Sequence, residues 1–359
     1  MPNHLFRLGR FLDFYRKAVT KYQLHSPFVF DLANAVLEDR RWFYAFRDVE
    51  RVRRKMLESA VKLEVVDYGA AVLPPGIAPP APPAGGRSAS PLASDPDSNA
   101  GKSASPLASD PDSNAGKSAS PLASANDTNA GKSASPLAPA SDSNAGSTTP
   151  LPPTGGVGGG YTRGGSASVR LIARRAASTM AQGRMLFRLA NWAAPQTMLE
   201  LGTSLGVGAM YLASGRRSAR FLTLEGCPDF AKIARANLAA LDLKNTEVVT
   251  GRFEETLAKA LERLQPVDLV FFDGNHRPEP TLAYFEACLP FAHAHSVFVF
   301  DDAYWSPGME QAWQRLKEHP RVTLTVDFFD LSLAFINPDF KEKQHFRVVP
   351  ARWKPWRVF

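Results

Sequence analysis

The chain has 359 residues, a formal net charge of +7 and 44% hydrophobic residues. That length suits one or two domains with a sizeable core, and with no apolar run of about 18 residues no transmembrane helix is expected. The 2 cysteines, Cys227 and Cys288, make neither a disulfide framework nor a zinc set, so a reducing, cytoplasmic setting is the default expectation. The basic residues are scattered, without an RNA-binding aromatic signature or a zinc finger, and no nucleic-acid partner is expected.

The first stretch, MPNHLFRLGRFLDFYRK, mixes arginines into its apolar positions and lacks a small-residue cleavage site, so it does not read as a signal peptide. Leu5, Leu8, Leu12, Tyr15, Val19 and Tyr22 follow helical spacing, with Arg7, Arg10, Lys17 and Lys21 largely off that stripe. A basic amphipathic helix suits a membrane surface, but packing of the stripe on its own domain is the expectation taken. HSPFVF (25–30) breaks the helix at Pro27, and a second helix is expected through about Lys62. LEVVDYGA (63–70) reads as a short strand and turn.

Residues 74–165 are dominated by Pro, Gly, Ala and Ser. SASPLASDPDSNAGK occupies 88–102 and recurs at 103–117, with variants at 118–132 and 133–146. Each copy offers one leucine, Leu92, Leu107, Leu122 or Leu137, which cannot offset the entropy of ordering the rest. A disordered insert is the expectation, between an N-terminal helical cap and short strand at 1–73 and a domain at 166–359.

Beyond the insert, helices and strands alternate. A helix is expected over Val169–Ala194, interrupted near Gly183, then strands at Thr197–Leu201, Arg220–Leu224, Thr246–Thr250, Val267–Phe272 and Ser296–Phe300. Helices fall between them, at Val207–Ser214, Asp229–Leu241, Phe253–Leu264, Pro280–Leu289 and Gly308–His319. Val322–Phe328 and Leu331–Ile336 close the series as an antiparallel pair. The pattern predicts an α/β fold: a Rossmann-like, doubly wound, seven-stranded and mostly parallel sheet covered on both faces.

Ligands of such sheets bind at the carboxyl ends of the strands. Those ends carry Glu200, Gly202, Gly206 and Gly208; Glu225; Gly251, Arg252 and Phe253; Asp273, Gly274, Asn275 and His276; and Asp301 and Asp302. A phosphate site wants backbone N–H groups and cations instead. The glycine spacing also occurs in NAD(P)-dependent short-chain dehydrogenases, but no tyrosine here has a lysine four residues on. Glu200 suits a cofactor with a cationic amine and sulfonium, and Glu225 suits a ribose diol, for which a carboxylate accepts two charge-assisted bonds.

At these residues the sequence resembles the class I S-adenosylmethionine-dependent methyltransferases over about 166–349. MLELGTSLGVG resembles the family's first motif, FLTLEGCPDF its second, and VVTGRFEETL the segment flanking the adenine. The resemblance implies S-adenosylmethionine as cofactor, contacted by Glu200, Gly202, Thr203, Ser204, Gly206, Glu225, Gly226, Arg252, Phe253 and Asp273. VDLVFFDGNHR and FVFDDAYWSPG are similar to the cation-dependent O-methyltransferases of the catechol and caffeoyl-CoA type, which implies Mg²⁺ or another divalent cation on Asp273, Asp301 and Asp302. Asp302 stands where that family has asparagine, and His276 where it has a lysine base. HSPFVF, LEVVDYGA and KEKQHF resemble a bacterial group of methyltransferases of unassigned substrate.

The implied activity is O-methyl transfer to a small-molecule hydroxyl, with Asp273 and His276 as catalytic residues and Asn275, Tyr304 and Trp305 facing the acceptor. The N-terminal helices would cover the cofactor cleft. A catalytically inactive methyltransferase-fold scaffold is the alternative, with a short-chain dehydrogenase behind it. The oligomeric state and the acceptor's identity stay open.

Overall fold

Three helices, not two, precede the first strand: α1 (Pro2–Lys17), α2 (Pro27–Ala33) and α3 (Tyr44–Glu58). Pro27 starts α2, where its fixed φ suits the first turn and Ser26 Oγ accepts the Val29 N–H at 3.4 Å. The helix expected to run on to Lys62 is parted by a local turn. There Asp39 Oδ1 accepts the Arg41 N–H at 2.8 Å and the two side chains form an ion pair at 2.9 Å, a side-chain-to-backbone bond that competes with helix.

The computed structural model describes residues 2–65, 165–175 and 177–357. The chain divides into two compact units, 1–81 with 155–359, and 82–154, the second lying wholly outside the described residues. The insert expected at 74–165 and the turn at 66–70 also lie outside them, except Gly165. That glycine begins β2 (Gly165–Ser168), which pairs antiparallel with β1 (Lys62–Val65) so that Gly165 lies opposite Val65.

The helix expected over 169–194 is also two, α4 (Val169–Arg175) and α5 (Met180–Ala193), and the break falls before Gly183. Thr179 and Gln182 form a capping box, with Gln182 N–H on Thr179 Oγ1 at 3.2 Å and Thr179 N–H on Gln182 Oε1 at 2.9 Å. Gly183 stays helical because a Cβ there would meet the Tyr211 ring at 2.2 Å. Its role is to let a neighbouring helix approach.

The remaining elements are β3 (Thr197–Leu201), α6 (Val207–Gly215), β4 (Arg220–Glu225), α7 (Pro228–Ala239), β5 (Thr246–Thr250), α8 (Phe253–Leu264), β6 (Val267–Phe272), α9 (Pro278–Cys288), β7 (Ala292–Asp301), α10 (Pro307–Glu318), β8 (Leu324–Asp327), β9 (Leu331–Phe335) and β10 (Gln344–Arg347). They build an 8-stranded sheet in the order β10-β8-β9-β7-β6-β3-β4-β5. Only β9 runs against its neighbours, β7 and β8. All seven expected strands are present, and β10 is the addition, parallel to β8 at the edge. Its sequence, QHFR, carries no apolar alternation, so only backbone pairing marks it as a strand.

Successive residues of a strand point to opposite faces, and two cores result. Met198, Phe221, Leu269, Phe271, Val297 and Val299 pack on one face with side chains from α2 to α7. Leu199, Leu222, Val270, Phe272, Phe298 and Phe300 pack on the other with α1, α8, α9 and α10. The N-terminal helices are thus shared between both faces. The packed side of α1 differs from the expected stripe: Leu5, Leu8 and Leu12 are exposed at 77%, 54% and 59%, and Phe14 is buried at 1%. Partners decide this. Phe11 and Phe14 meet Phe329 edge-on and tilted, at 5.0 and 5.3 Å, and the neighbouring arginines meet acids at the sheet's end. No helix among the described residues is long and apolar enough to cross a membrane.

Candidate active site

The two-residue period that splits the core also gathers the acids. Glu200 follows Met198, Glu225 follows Phe221 by four, Asp273 follows Phe271 and Asp301 follows Val299, so all four belong to the face covered by α5, α6 and α7. Asp302 is one residue out of phase.

The loop after β3 turns sharply, with φ of +105° at Gly202 and +84° at Gly206, values that cost a side-chain-bearing residue but not glycine. Space reinforces conformation at Gly202, where a Cβ would lie 2.5 Å from the Asp273 carbonyl oxygen. The ends of β3 and β6 therefore touch through backbone.

Beneath that loop Glu200 is fully buried. Thr203 and Thr223 hydroxyls lie 2.5 Å apart, and Thr223 donates to Glu200 Oε2 at 2.5 Å, while Oε1 has no partner. Burial pushes the Glu200 carboxyl up to about 8, with the Glu225 charge adding to it. Glu200 thus sits one layer below the mouth, where its expected partner, a cofactor amine, would have to be met through the loop. One consequence concerns stability. Between the ordinary value of 4.5 and about 8 the native state holds a proton that the unfolded chain has released, so stability falls as pH rises through that window. The slope is up to about 1.4 kcal/mol per pH unit. Glu200→Gln is expected to flatten it, read as thermal midpoints against pH.

Glu225 holds the loop from the next strand. Its Oε2 accepts the Ser204 N–H at 2.7 Å and its Oε1 the Cys227 N–H at 2.8 Å. Burial outweighs these bonds and raises its carboxyl to about 7. The Gly226 N–H also acts on this carboxyl, which with about four acceptor positions keeps capacity for a ribose hydroxyl, and Ser204 Oγ is a buried hydroxyl without a partner. These residues fit an adenosyl cofactor. Gly226 follows in the same turn. Arg252 caps α8 with extended backbone. Phe253 meets Tyr284 edge-on at 5.5 Å and faces Gly274, where a Cβ would lie 2.9 Å from its ring. An aromatic wall thereby stands beside the ends of β5 and β6.

The carboxyls of Asp273 and Asp301 lie within hydrogen-bonding reach of each other, and burial first, then mutual repulsion in the case of Asp273, raises both above the usual carboxylate range. Gln182 Nε2 donates to Asp301 Oδ1 at 2.9 Å, its orientation set by the capping box that engages Oε1. His276 Nε2 stands 4.0 Å from Asp273 Oδ1, the two side chains 27% and 16% exposed, so the histidine is the more accessible of the pair.

Two of the three expected acceptor-facing residues, Asn275 and Tyr304, are placed differently. Asn275, at φ +55°, turns toward α9 and donates to the Tyr284 hydroxyl at 3.2 Å. Tyr304 lies in the core, donating to buried Asp327 and stacking on Phe329 at 5.2 Å. Its hydroxyl is engaged there because Asp327 gathers donors from Trp313, Ser332 and the Phe329 backbone as well. Trp305 is half-buried, with an indole N–H that has no partner.

The set Asp273, Asp301 and Asp302 does not fit a divalent cation. Asp302, at φ +53°, turns its carboxylate toward α1, where Arg7 Nη1 lies at 3.4 Å. Gln182 takes an oxygen of Asp301, and Asp273 faces Asp301. Among the described residues no three His, Cys, Asp or Glu side chains converge as a metal's ligands. Gln182, Arg7 and Asp330 are the site residues that sequence reasoning missed. Gln182 lies inside a stretch that reads simply as helix, where the T-x-x-Q spacing with Thr179 is a capping signal the sequence offers, and Arg7 reads as lying off the apolar stripe of its helix.

Known proteins resemble this chain in sequence. A methyltransferase domain model matches residues 199–303. A catechol O-methyltransferase of Mycobacterium tuberculosis is 30% identical over 166 residues, covering 42% of this chain and 74% of the relative. A catechol O-methyltransferase of Niastella koreensis is 29% identical over 124 residues, covering 34% of this chain and 55% of the relative. The solved O-methyltransferase TomG from Streptomyces achromogenes, in complex with SAM, is 25% identical and covers 45% of this chain and 82% of its own, with a TM-score of 0.39. With Glu225 beneath the glycine loop and the aligned relative matched over most of its length, the chain belongs to the class I S-adenosylmethionine-dependent O-methyltransferases.

Proposed function

We propose that this chain methylates a hydroxyl oxygen of a small molecule, with His276 as the base and Asp273 as its partner. The observation that carries the reading is the juxtaposition of an accessible histidine with a carboxyl pair, part-buried Asp273 and buried Asp301, at the ends of β6 and β7. Catechol O-methyltransferases among the relatives support a phenolic acceptor.

S-adenosylmethionine, when bound, supplies an electrophilic methyl group on a sulfonium. Glu225 holds the ribose through the lone pairs its backbone donors leave free. Ser204 and the turn from Gly202 to Gly206 hold the amino-acid end, and Phe253 and Arg252 flank the base. Asp273 and Asp301 face the sulfonium side with their net negative charge. A phenol is a poor nucleophile until deprotonated, and His276 takes that proton as the oxygen attacks in line. Trp305, with its unsatisfied indole N–H, lines the acceptor side.

The test is transfer of labelled methyl groups to a panel of catechols, monophenols, aliphatic alcohols, amines and carboxylates, each with and without chelator. O-methylated phenols as the sole products, formed equally in chelator, are expected. N-methylated or carboxyl-methylated products would overturn the acceptor class. A folded protein that binds S-adenosylhomocysteine and methylates nothing would favour the scaffold reading.

A further inference from the structure

Four carboxyls crowd the acceptor end of the site: Asp273, Asp301, Asp302 and Asp330. Such a cluster needs positive charge nearby. The nearest cation comes from the far end of the chain. Arg7 of α1 places Nη1 3.4 Å from Asp302 Oδ1 and Nη2 3.1 Å from Asp330 Oδ1. Its guanidinium also lies 5.8 Å from the ring centres of both Trp305 and Phe329. A planar, weakly hydrated cation clasped by carboxylates and aromatic faces is the arrangement that suits arginine and not lysine.

The helix that brings Arg7 is itself anchored. Arg10 pairs with Glu310 at 3.3 Å, Phe11 meets Phe329 edge-on at 5.0 Å, and Phe14 is buried beside Tyr304 and Phe329 at 6.1 and 5.3 Å. Strand parity completes the picture. Asp301 points to the α5 face and accepts from Gln182, whereas Asp302 points to α1 and Arg7. A divalent ion would need both oxygens turned to one point, and Mg²⁺ demands near-octahedral geometry.

We infer that Arg7 is the resident cation of this acidic cluster, standing in for the divalent ion that the sequence motifs imply, and that it keeps such ions out while α1 is docked. The inference rests on reading the cluster as the acceptor end of a methyl-transfer site. It makes α1 part of the site, with Arg7 a positioning residue that orders Asp302 and Trp305.

The probe is Mn²⁺ added to the full chain and followed by the electron paramagnetic resonance signal of the free ion, for the wild type, Asp301→Asn, Arg7→Met and Arg7→Met with Asp301→Asn. Methionine keeps a stem between Trp305 and Phe329 and removes the charge. The wild type is expected to leave the Mn²⁺ signal at full intensity. Arg7→Met is expected to bind Mn²⁺ at least about tenfold more tightly, as loss of a competing charge at close range implies, and the added Asp301→Asn to abolish the gain. Two results overturn the inference: a wild type that takes up Mn²⁺ and loses it on Asp301→Asn, or an Arg7→Met variant as indifferent to Mn²⁺ as the wild type. The wild-type result stands even if the variant fails to fold. Calorimetric titration with S-adenosylhomocysteine in chelator is run beside these. Its failure bears on the methyl-transfer reading, while the Mn²⁺ signal bears on Arg7.

Discussion

Replacing His276 with glutamine is expected to lower kcat by about a hundredfold or more, the usual contribution of a positioned base, while S-adenosylhomocysteine affinity stays within about threefold. The split follows from position. His276 stands 4.0 Å from Asp273 and is 27% exposed, on the turn after β6 rather than in the glycine loop. It can reach an acceptor proton without touching the ribose or the amino-acid end of the cofactor. Asp273→Asn should behave differently, because Asp273 belongs both to the carboxyl pair with Asp301 and to the wall beneath Gly202. It is expected to lower kcat and weaken cofactor binding together. Single-turnover rates and calorimetry on the same preparations separate the two effects. An unchanged kcat in His276→Gln would remove the histidine from the mechanism and leave the carboxyl pair as the base.

Glu225→Ala carries the second large effect. Two charge-assisted hydrogen bonds to a diol are together worth about 3 kcal/mol after desolvation, or about a hundredfold in Kd. The substitution also releases the Ser204 and Cys227 N–H groups from their acceptor, so thermal midpoints should fall modestly alongside. The pH dependence follows from the same residue. Burial holds its carboxyl at about 7 in the free protein, and the carboxylate is the form that accepts two hydroxyl bonds. Affinity for S-adenosylhomocysteine should therefore fall as pH drops below about 7, with proton release on binding, approaching about tenfold per pH unit. Glu225→Gln should bind weakly at every pH and lose that slope. Binding that is tight and pH-independent in both variants would mean that the ribose is held elsewhere.

Much of this architecture was legible along the chain, and the reason is local. Alternation of β-branched and aromatic runs with helical stretches marks each of the seven strands from β3 to β9; burial on both faces leaves no polar period inside the central ones, while β5 at the edge is only part-buried. The acids were readable as strand ends for the same reason, whereas the packed sheet is what shows Glu200, Glu225, Asp273 and Asp301 in phase with one face. Glycines at 202 and 206 marked the turn, whose positive φ values the structure bears out.

Other features depended on partners distant in sequence. Of the expected stripe, Leu5, Leu8 and Leu12 are exposed while Tyr15 and Val19 pack, and the side of α1 that carries Arg7 and Phe14 turns inward, because Arg7 meets Asp302 and Asp330 and Phe14 meets Phe329 across some three hundred residues of chain. Gly183 reads as a helix breaker until Tyr211 lies against it. Gln182 shows no site role along the chain until its amide NH₂ finds Asp301, and β10 has no pattern of its own beyond its pairing with β8. Asp301 and Asp302, adjacent in a motif that implies one metal, take different partners where the strand ends between them, Gln182 for the first and Arg7 for the second. Periodicity along the sequence therefore determined the sheet, its two faces and the row of acids at its edge. Which helix face is buried, and which cation answers those acids, was decided only by tertiary contact, since an amphipathic pattern states that a face will pack but not which charge it will find there.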